Sequence, residues 1–285
     1  MSRTRVALLT LLAMIAFAGN SLLCRAALIH SGIDAASFTT IRLIAGALTL
    51  WLIVTMRRSR ASGSWPSAFA LFAYAACFSF AYIHLTAATG ALLLFGAVQA
   101  SMIGYGWYKG ERLRAQQMLG LLCALGGLVG LVLPGLSAPP LMSAALMIAA
   151  GVAWGVYSLR GRGAGDATAV TAGNFMRAVP FALLLSIVTL NTASIDLAGA
   201  AYATASGAAA SGMGYAIWYT ALRGLSATTA ATVQLSVPVI AALGGILLLG
   251  ETLTLRLLIA SIAILGGIAL VVLQKQSVVT HNPRT

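Results

Sequence analysis

The chain has 285 residues and a net charge of +12, with 60% hydrophobic and 8% charged residues and a mean hydropathy of +0.96. Soluble globular domains carry about 25% charged residues, so this composition excludes that class. The positive charge could indicate nucleic-acid binding, but the basic residues lie between apolar runs and form no basic domain. The composition predicts an all-α membrane protein with several spans.

Ten apolar runs along the chain approach or exceed the roughly 20 residues that cross a bilayer as a helix. The first run follows Arg3 and Arg5 as in a signal peptide, but it is too long for one, and further spans follow, so we expect it in the mature protein. The predicted spans are 6–28, 37–56, 66–86, 89–108, 113–133, 140–159, 168–190, 198–221, 226–248 and 254–273.

Basic residues are distributed unevenly over the loops between these spans. If the N-terminus is cytoplasmic, 13 of the 17 Lys and Arg residues fall in cytoplasmic loops or tails. The positive-inside rule then predicts a multi-pass protein of the bacterial inner membrane with both termini in the cytoplasm. The 13 residues are Arg3, Arg5, Arg57, Arg58, Arg60, Lys109, Arg112, Arg114, Arg160, Arg162, Arg223, Lys275 and Arg284.

The chain contains a partial copy of itself. Gly110-Glu111 recurs as Gly250-Glu251 at a shift of 140, and Arg42 matches Arg177 at a shift of 135. Each half holds five spans, and because five is odd, the second half must enter the membrane from the opposite face. The sequence therefore predicts two inverted five-helix repeats, an architecture of secondary transporters. The predicted boundaries are 1–136 for the first repeat, 137–276 for the second and 277–285 for a polar cytoplasmic tail.

Pro238 interrupts the ninth predicted span. It has no N–H to donate and would leave the Gln234 carbonyl unpaired, which lipid tolerates only beside protein or a water-filled cavity. Gln234 and Ser236 add side-chain polarity at the same level. This pattern indicates a transport pathway, with Pro238 as a hinge.

Several aromatic and amide side chains fall inside other spans. A cavity lined by them suits a flat apolar solute, through ring stacking and a few orienting hydrogen bonds. For any single residue, packing in the protein core is an equally good interpretation. The predicted substrate-binding residues are Asn20, Phe78, Tyr82, Gln99, Trp154, Tyr157, Tyr215, Gln234 and Ser236.

Two arginines lie inside spans, where a charge costs about 2.5 to 3.5 kcal/mol. Arg42 and Arg177 are candidates for a gate or for an anion contact, although two structural arginines that cap carbonyls would also explain them. No span holds a central Asp or Glu, which disfavours carboxylate-relayed proton coupling and leaves His84 as the titratable candidate. We find no catalytic constellation, metal motif or cofactor site, so we expect no enzyme.

These features together resemble the EamA-type carriers of the drug/metabolite transporter superfamily. The resemblance rests on ten spans in two halves, on the two Gly-Glu junctions and on the spacing from Pro238 to Glu251. Val98 stands where the aligned proline of the first half would be. Within the family the chain is most similar to YddG-type exporters of aromatic amino acids, which also handle the dication methyl viologen.

The resemblance implies an inner-membrane exporter of Phe, Tyr and Trp that works by alternating access through a central cavity. Its partners would be the small-molecule substrate and the lipid bilayer, without nucleic acid, and a monomer would suffice. A multidrug or other metabolite carrier of the same fold is the main alternative. A membrane-embedded enzyme is the alternative from another class.

Overall fold

The fold is described by a computed structural model over residues 2–109, 115–135, 138–161, 165–225, 230 and 233–274. These residues form helices and connections without a strand. The first seven helices are α1 Arg3–His30, α2 Ala35–Met56, α3 Trp65–Tyr82, α4 Ala87–Tyr108, α5 Ala115–Val132, α6 Leu141–Arg160 and α7 Ala167–Val188. A 3₁₀ turn, Leu190–Thr192, is followed by α8 Leu197–Ala205, a π-helical segment Ser206–Met213, α9 Gly214–Leu222, α10 Ser236–Leu249 and α11 Leu255–Gln274.

The prediction of an all-helical membrane protein is confirmed for the described residues. Seven of their helices, α1 to α7, are long and apolar enough to cross a membrane, and shorter apolar helices lie at Ser236–Leu249 and Leu255–Val271. Large apolar side chains on the outside of the bundle suit contact with lipid rather than water. Outward-facing examples, each more than half exposed, are Leu8, Leu48, Leu184, Leu247 and Ile262.

Three features of the sequence prediction lie outside the described residues. They are Gly110-Glu111, the start of the ninth predicted span and the predicted tail.

The eighth predicted span, 198–221, forms an unbroken helical run from α8 through the π segment to α9. The π segment packs against α2. A Cβ atom added to Gly207 would collide with the Arg42 carbonyl, and one added to Gly212 would press on Thr49. The small residues of this segment therefore permit close helix contact.

The ninth predicted span is interrupted just before its proline. The described helix α10 begins at Ser236, so Pro238 lies in its first turn, where a missing N–H leaves no bond broken. The Ser236 hydroxyl donates to the Val233 carbonyl over 2.6 Å. The side chain thus satisfies a carbonyl at the interruption, although it is Val233 rather than Gln234 that is capped.

Helix pairs in the two halves match each other. α3 packs on α6 as α8 and the π segment pack on α1, and α4 packs on α6 as α10 packs on α1. In the contact of α5 with α11, Gly127 lies against Ile264, and Gly267 lies against Ala124. These two contacts exchange under the same shift of 140 residues that relates the sequence repeats.

Hydrogen bonds tie elements together at the end of the bundle where α2 ends and α3 begins, which we call the basic end because Arg57, Arg58 and Arg60 lie there. The Ser62 N–H donates to the Ala169 carbonyl over 3.0 Å. The Ser64 N–H donates to Asn174 Oδ1, also over 3.0 Å. The α2–α3 loop is thereby fixed to the start of α7.

The other end of the bundle, which we call the opposite end, is also bridged between the halves. Asp34 caps α2 by accepting from the Ala36 and Ser37 N–H groups, and its second oxygen accepts from the Ser194 N–H over 2.9 Å. Partial burial raises the pKa of the Asp34 carboxyl, but hydrogen bonds from Ser37, Ser194 and Ala36 outweigh burial and hold the pKa below its usual value.

Candidate functional site

An internal cavity of about 310 Å³ lies between α1, α3, α4, α6, α7, the π segment and α9. Its volume is at the lower end of the range for small-molecule sites, roughly 300 to 1,000 Å³. Six of the predicted substrate-binding residues line it: Asn20, Phe78, Trp154, Tyr157, Tyr215 and Gln234. The structure thus brings together side chains from both halves of the chain.

The cavity wall is built from aromatic rings in contact with one another. Trp154 of α6 stacks on Tyr215 at a centroid distance of 5.3 Å and an angle of 24°, and on Tyr157 at 5.3 Å and 29°. Tyr74 of α3 lies 4.8 Å from Trp154. Such pairs contribute about 0.5 to 1.5 kcal/mol each beyond area burial, so the rings hold one another in place. The wall is therefore formed before any solute arrives.

A chain of hydrogen bonds runs from the π segment through α1 to α3. The Ser206 hydroxyl donates to Asn20 Oδ1 over 2.6 Å. Asn20 Nδ2 in turn donates to the Tyr74 hydroxyl oxygen over 3.2 Å. Asn20 is thus oriented by one neighbour and orients the other.

Arg42 of α2 lies directly behind this wall. It is 1% exposed, and its guanidinium carbon lies 5.2 Å from the Tyr74 ring centroid and 4.8 Å from that of Phe78. Its Nη2 donates to the Tyr74 hydroxyl oxygen over 3.1 Å. Its Nε and Nη1 are buried without a hydrogen-bond partner. The ring faces stabilise the cation in part, but two donor nitrogens remain unsatisfied.

Arg177, at the matching position of the second half, has a different environment. It is half-buried, its Nη1 donates to the Gly173 carbonyl four residues back over 2.9 Å, and it does not line the cavity. The structural alternative, an arginine that caps a carbonyl, describes Arg177. The symmetric sequence positions therefore do not have symmetric surroundings.

The cavity lining continues to the basic end. Gly161, Ala167 and Leu222, at the ends of α6, α7 and α9, belong to the lining. On the way, the Tyr157 hydroxyl donates to Thr171 Oγ1 over 3.4 Å, and Thr171 donates to the Tyr219 hydroxyl over 3.2 Å. A polar network thus follows the aromatic wall toward this end.

At the opposite end, Glu251 joins α1, α4 and the α10–α11 connection. Both carboxylate oxygens lie 2.9 Å from the Ala87 nitrogen, at the positive end of the α4 dipole. Arg25 Nε lies 3.5 Å from Glu251 Oε1, as an ion pair without hydrogen-bond geometry, since that nitrogen has no hydrogen-bond partner. Arg25 Nη1 also donates to the Tyr82 and Ile83 carbonyls. We call this group the latch.

The remaining predicted site residues lie outside the cavity lining. Tyr82 is fully buried, and its ring centroid lies 4.7 Å from that of Phe78. Its hydroxyl lies 3.4 Å from the Ala87 carbonyl, so Tyr82 packs beside the latch. Gln99 is buried within α4, and Pro238 is buried within α10. Ser236 lines a separate groove beside α1 with Arg3 and Arg223. His84, the titratable candidate, is exposed in the α3–α4 connection.

Among the lining residues outside the predicted set, three contribute aromatic rings or hydrogen bonds described above or below: Tyr74, Trp218 and Thr171. Tyr74 could have been found, because it precedes Phe78 by four residues and so lies on the same face of α3. Trp218 follows Tyr215 by three residues and could have been found by the same argument. Thr171 gives no such signal.

A bundle of apolar helices around an aromatic cavity is typical of membrane transporters for small molecules. The comparisons agree: residues 141–273 match the model of the EamA-like transporter family. This matched segment is an EamA-like transporter domain, and the chain is a multi-pass membrane transporter. The uncharacterized protein PA1977 of Pseudomonas aeruginosa is 59% identical to it over 270 residues, 94% of each chain.

A crystal structure of another protein gives the same fold. It is 21% identical to this chain, with a TM-score of 0.67 over 93% of this chain and 98% of its own. At this identity the likeness extends to the arrangement of the helices alone.

Proposed function

We propose that the chain is a secondary transporter that exports the aromatic amino acids Phe, Tyr and Trp from the cytoplasm across the inner membrane. The solute binds in the aromatic cavity between two inverted five-helix repeats, 1–136 and 137–276. The two repeats rock about this site to give alternating access.

The observation that carries this proposal is the stack of Trp154 between Tyr157 and Tyr215 in the cavity wall. A planar solute ring gains most from walls that are themselves flat, aromatic and preorganised. The amides of Asn20 and Gln234 supply the few polar contacts that orient a solute in such sites. An aromatic amino acid has both the ring and the polar end that this combination suits.

Other features support the two inverted repeats and the outward direction of transport. The contacts of Gly127 with Ile264 and of Gly267 with Ala124 exchange when the halves exchange. The positive-inside rule assigns the basic end to the cytoplasm. The cavity lining reaches that end, while the latch seals the other, as expected for the loading step of an exporter. The described lining residues include no carboxylate, so movement down the solute's own gradient is the simplest mechanism.

The test is uptake of labelled phenylalanine and tryptophan into proteoliposomes of the purified protein, with and without an imposed pH gradient. We expect saturable uptake to the same plateau in both cases. Accumulation of the amino acid only in the presence of the pH gradient would indicate proton-coupled transport instead of facilitated efflux. A folded protein that gives no uptake above empty liposomes would refute the aromatic substrate and favour another metabolite or multidrug carrier.

The chain offers a matched control for the aromatic wall. Trp154→Ala removes the central ring of the stack, whereas Trp51→Ala removes a tryptophan that is 49% exposed on the outside of α2. We expect the first variant to lose about 2- to 10-fold in apparent affinity and the second to be unchanged, since the solute ring loses one aromatic contact, worth about 0.5 to 1.5 kcal/mol. Equal effects of the two substitutions would argue against a substrate site at the stack.

A further inference from the structure

We propose that the Tyr74 hydroxyl, polarised by Arg42, is a carboxylate-binding subsite, and that the transporter selects solutes with one aromatic ring and one carboxylate. This inference rests on the proposed function for the ring subsite, and it adds the charge that the solute must carry. It also separates aromatic acids from aromatic cations such as methyl viologen.

The first step is the unsatisfied charge of Arg42. The side chain is 1% exposed, and Nε and Nη1 have no hydrogen-bond partner. Among the described residues, the one ion pair within 4.0 Å joins Arg25 and Glu251, so no carboxylate pairs with Arg42. A buried cation without a counterion costs several kcal/mol, and the protein lowers that cost when an anion comes near. This buried positive charge lies next to the cavity wall, where an anionic solute group would lower its cost.

The second step is the state of the Tyr74 hydroxyl. Its oxygen accepts hydrogen bonds from Arg42 Nη2 over 3.1 Å and from Asn20 Nδ2 over 3.2 Å. A phenol oxygen has two acceptor sites and one hydrogen to donate. With both acceptor sites occupied, the hydrogen is left to donate, and the described residues provide no acceptor for it. Tyr74 lines the cavity, so a solute can provide one.

The third step is the distance between this donor and the ring subsite. The Tyr74 ring lies 4.8 Å from Trp154, the centre of the aromatic stack. A carboxylate two or three bonds from an aromatic ring can reach the Tyr74 hydroxyl while the ring contacts Trp154. Arg42 acts through Tyr74 as a positioning residue, because it lies behind the wall and outside the lining.

The fourth step concerns the amino group. The described lining residues include neither Asp nor Glu to pair with an ammonium. The nearby charge of Arg42 disfavours cations. We therefore expect aromatic monocarboxylates without an amino group to bind at least as well as the amino acid, and dications to bind poorly.

The experiment measures binding of four probes to the full-length protein in nanodiscs by quenching of tryptophan fluorescence. The probes are phenylalanine, 3-phenylpropionate, phenylethylamine and methyl viologen. Charge-assisted hydrogen bonds predict that phenylethylamine and methyl viologen bind about 10- to 100-fold more weakly than the two carboxylates. Equal binding of phenylethylamine and phenylalanine would overturn the inference.

Variants test which residues produce the preference. Tyr74→Phe keeps the ring and removes the hydroxyl, and Arg42→Gln removes the charge. Each should reduce the ratio of phenylalanine to phenylethylamine affinity by about 10-fold. Tyr74→Phe should leave the affinity for phenylethylamine itself little changed, whereas Arg42→Gln should raise it, because the charge that disfavours cations is gone. Arg42→Lys should restore part of the ratio. Arg177→Gln, the matched arginine of the second half, should leave it unchanged.

The outcomes separate this inference from the proposed function. Binding of 3-phenylpropionate without binding or uptake of phenylalanine would refute amino-acid export and support the carboxylate subsite. Uptake of phenylalanine with an unchanged ratio in Tyr74→Phe would support export and refute the subsite. If Arg42→Gln does not fold, the probe panel on the unmodified protein and Tyr74→Phe still decide the matter. No binding of any probe would refute both.

Discussion

Replacing Glu251 by alanine should open the end of the cavity that the latch seals. Glu251 is the point at which the second half contacts the start of α4, through two oxygens at 2.9 Å from the Ala87 nitrogen. It is also the counterion of Arg25, at 3.5 Å. Alanine removes both contacts and leaves the Arg25 charge unpaired.

The size of the effect follows from the burial of the pair. Removing one partner of a buried ion pair costs about 3 to 5 kcal/mol. The side chains of Arg25 and Glu251 are 16% and 8% exposed, and their contact lacks hydrogen-bond geometry, so we take the lower end, about 3 kcal/mol. A loss of this size in the sealed state raises the open population about 100-fold.

Labelling of the Cys24 thiol can measure that opening. It lies next to Arg25 on α1 and is fully buried. In a background in which Cys77 and Cys123 are replaced by alanine, a membrane-impermeant maleimide should label Cys24 slowly in the sealed state. When opening is fast, the labelling rate follows the open population, so Glu251→Ala should raise it about 100-fold.

Asp166→Ala is the control variant, because it removes a carboxylate that lies outside the latch. Asp166 caps its own helix by accepting from the Thr168 and Ala169 N–H groups. Its removal should cost about 1 kcal/mol of helix capping without opening the latch. An unchanged labelling rate in Glu251→Ala, with the variant folded, would refute the latch. An equal increase in Asp166→Ala would attribute it to general destabilisation.

Two further predictions concern stability, measured as the midpoint of thermal unfolding in detergent. Gly120→Ala would place a Cβ against the Gly267 carbonyl, so it should destabilise by about 1 to 3 kcal/mol, whereas Gly126→Ala, with nothing within 4 Å, should not; equal midpoints would refute the close contact of α5 and α11. The folded-state pKa of Asp34 lies below the unfolded value of about 3.9. The stabilisation that ionised Asp34 gives the folded protein is therefore complete above about pH 3.9. It is lost as the pH falls through the folded-state pKa. The midpoint should drop below about pH 4, and Asp34→Asn should flatten that drop; an unchanged drop would refute the role of this carboxylate.

The positions of the first seven helices could be predicted from the sequence to within a few residues. A bilayer demands about 20 apolar residues per span, and this demand is visible in one sequence. The faces of the helices could not be predicted in the same way. Lipid and bundle interior are both apolar, so hydrophobic periodicity does not separate them. Trp154 and Tyr215 line the cavity, whereas Gln99 and Tyr82, in equally apolar runs, do not.

The two intramembrane arginines illustrate the same limit. When the two halves of the sequence are aligned, Arg42 and Arg177 fall at matching positions and are equally good candidates for a functional arginine. The structure separates them by their neighbours, which come from other helices: Tyr74 and Phe78 of α3 surround Arg42, and Arg177 returns to its own helix. Which of two such residues is functional depends on tertiary contacts that the repeat does not encode.

The π segment 206–213 has a consequence for how this family can tolerate changes in length. A π turn closes its hydrogen bonds one residue later than an α turn, so it stores extra chain within a helix of nearly constant length. A one-residue deletion in this segment can be absorbed by a return to α geometry. The same deletion in α9 would rotate the following positions by about 100° and turn Trp218 away from the cavity. Natural length variation among relatives should therefore concentrate at 206–213, upstream of the aromatic wall.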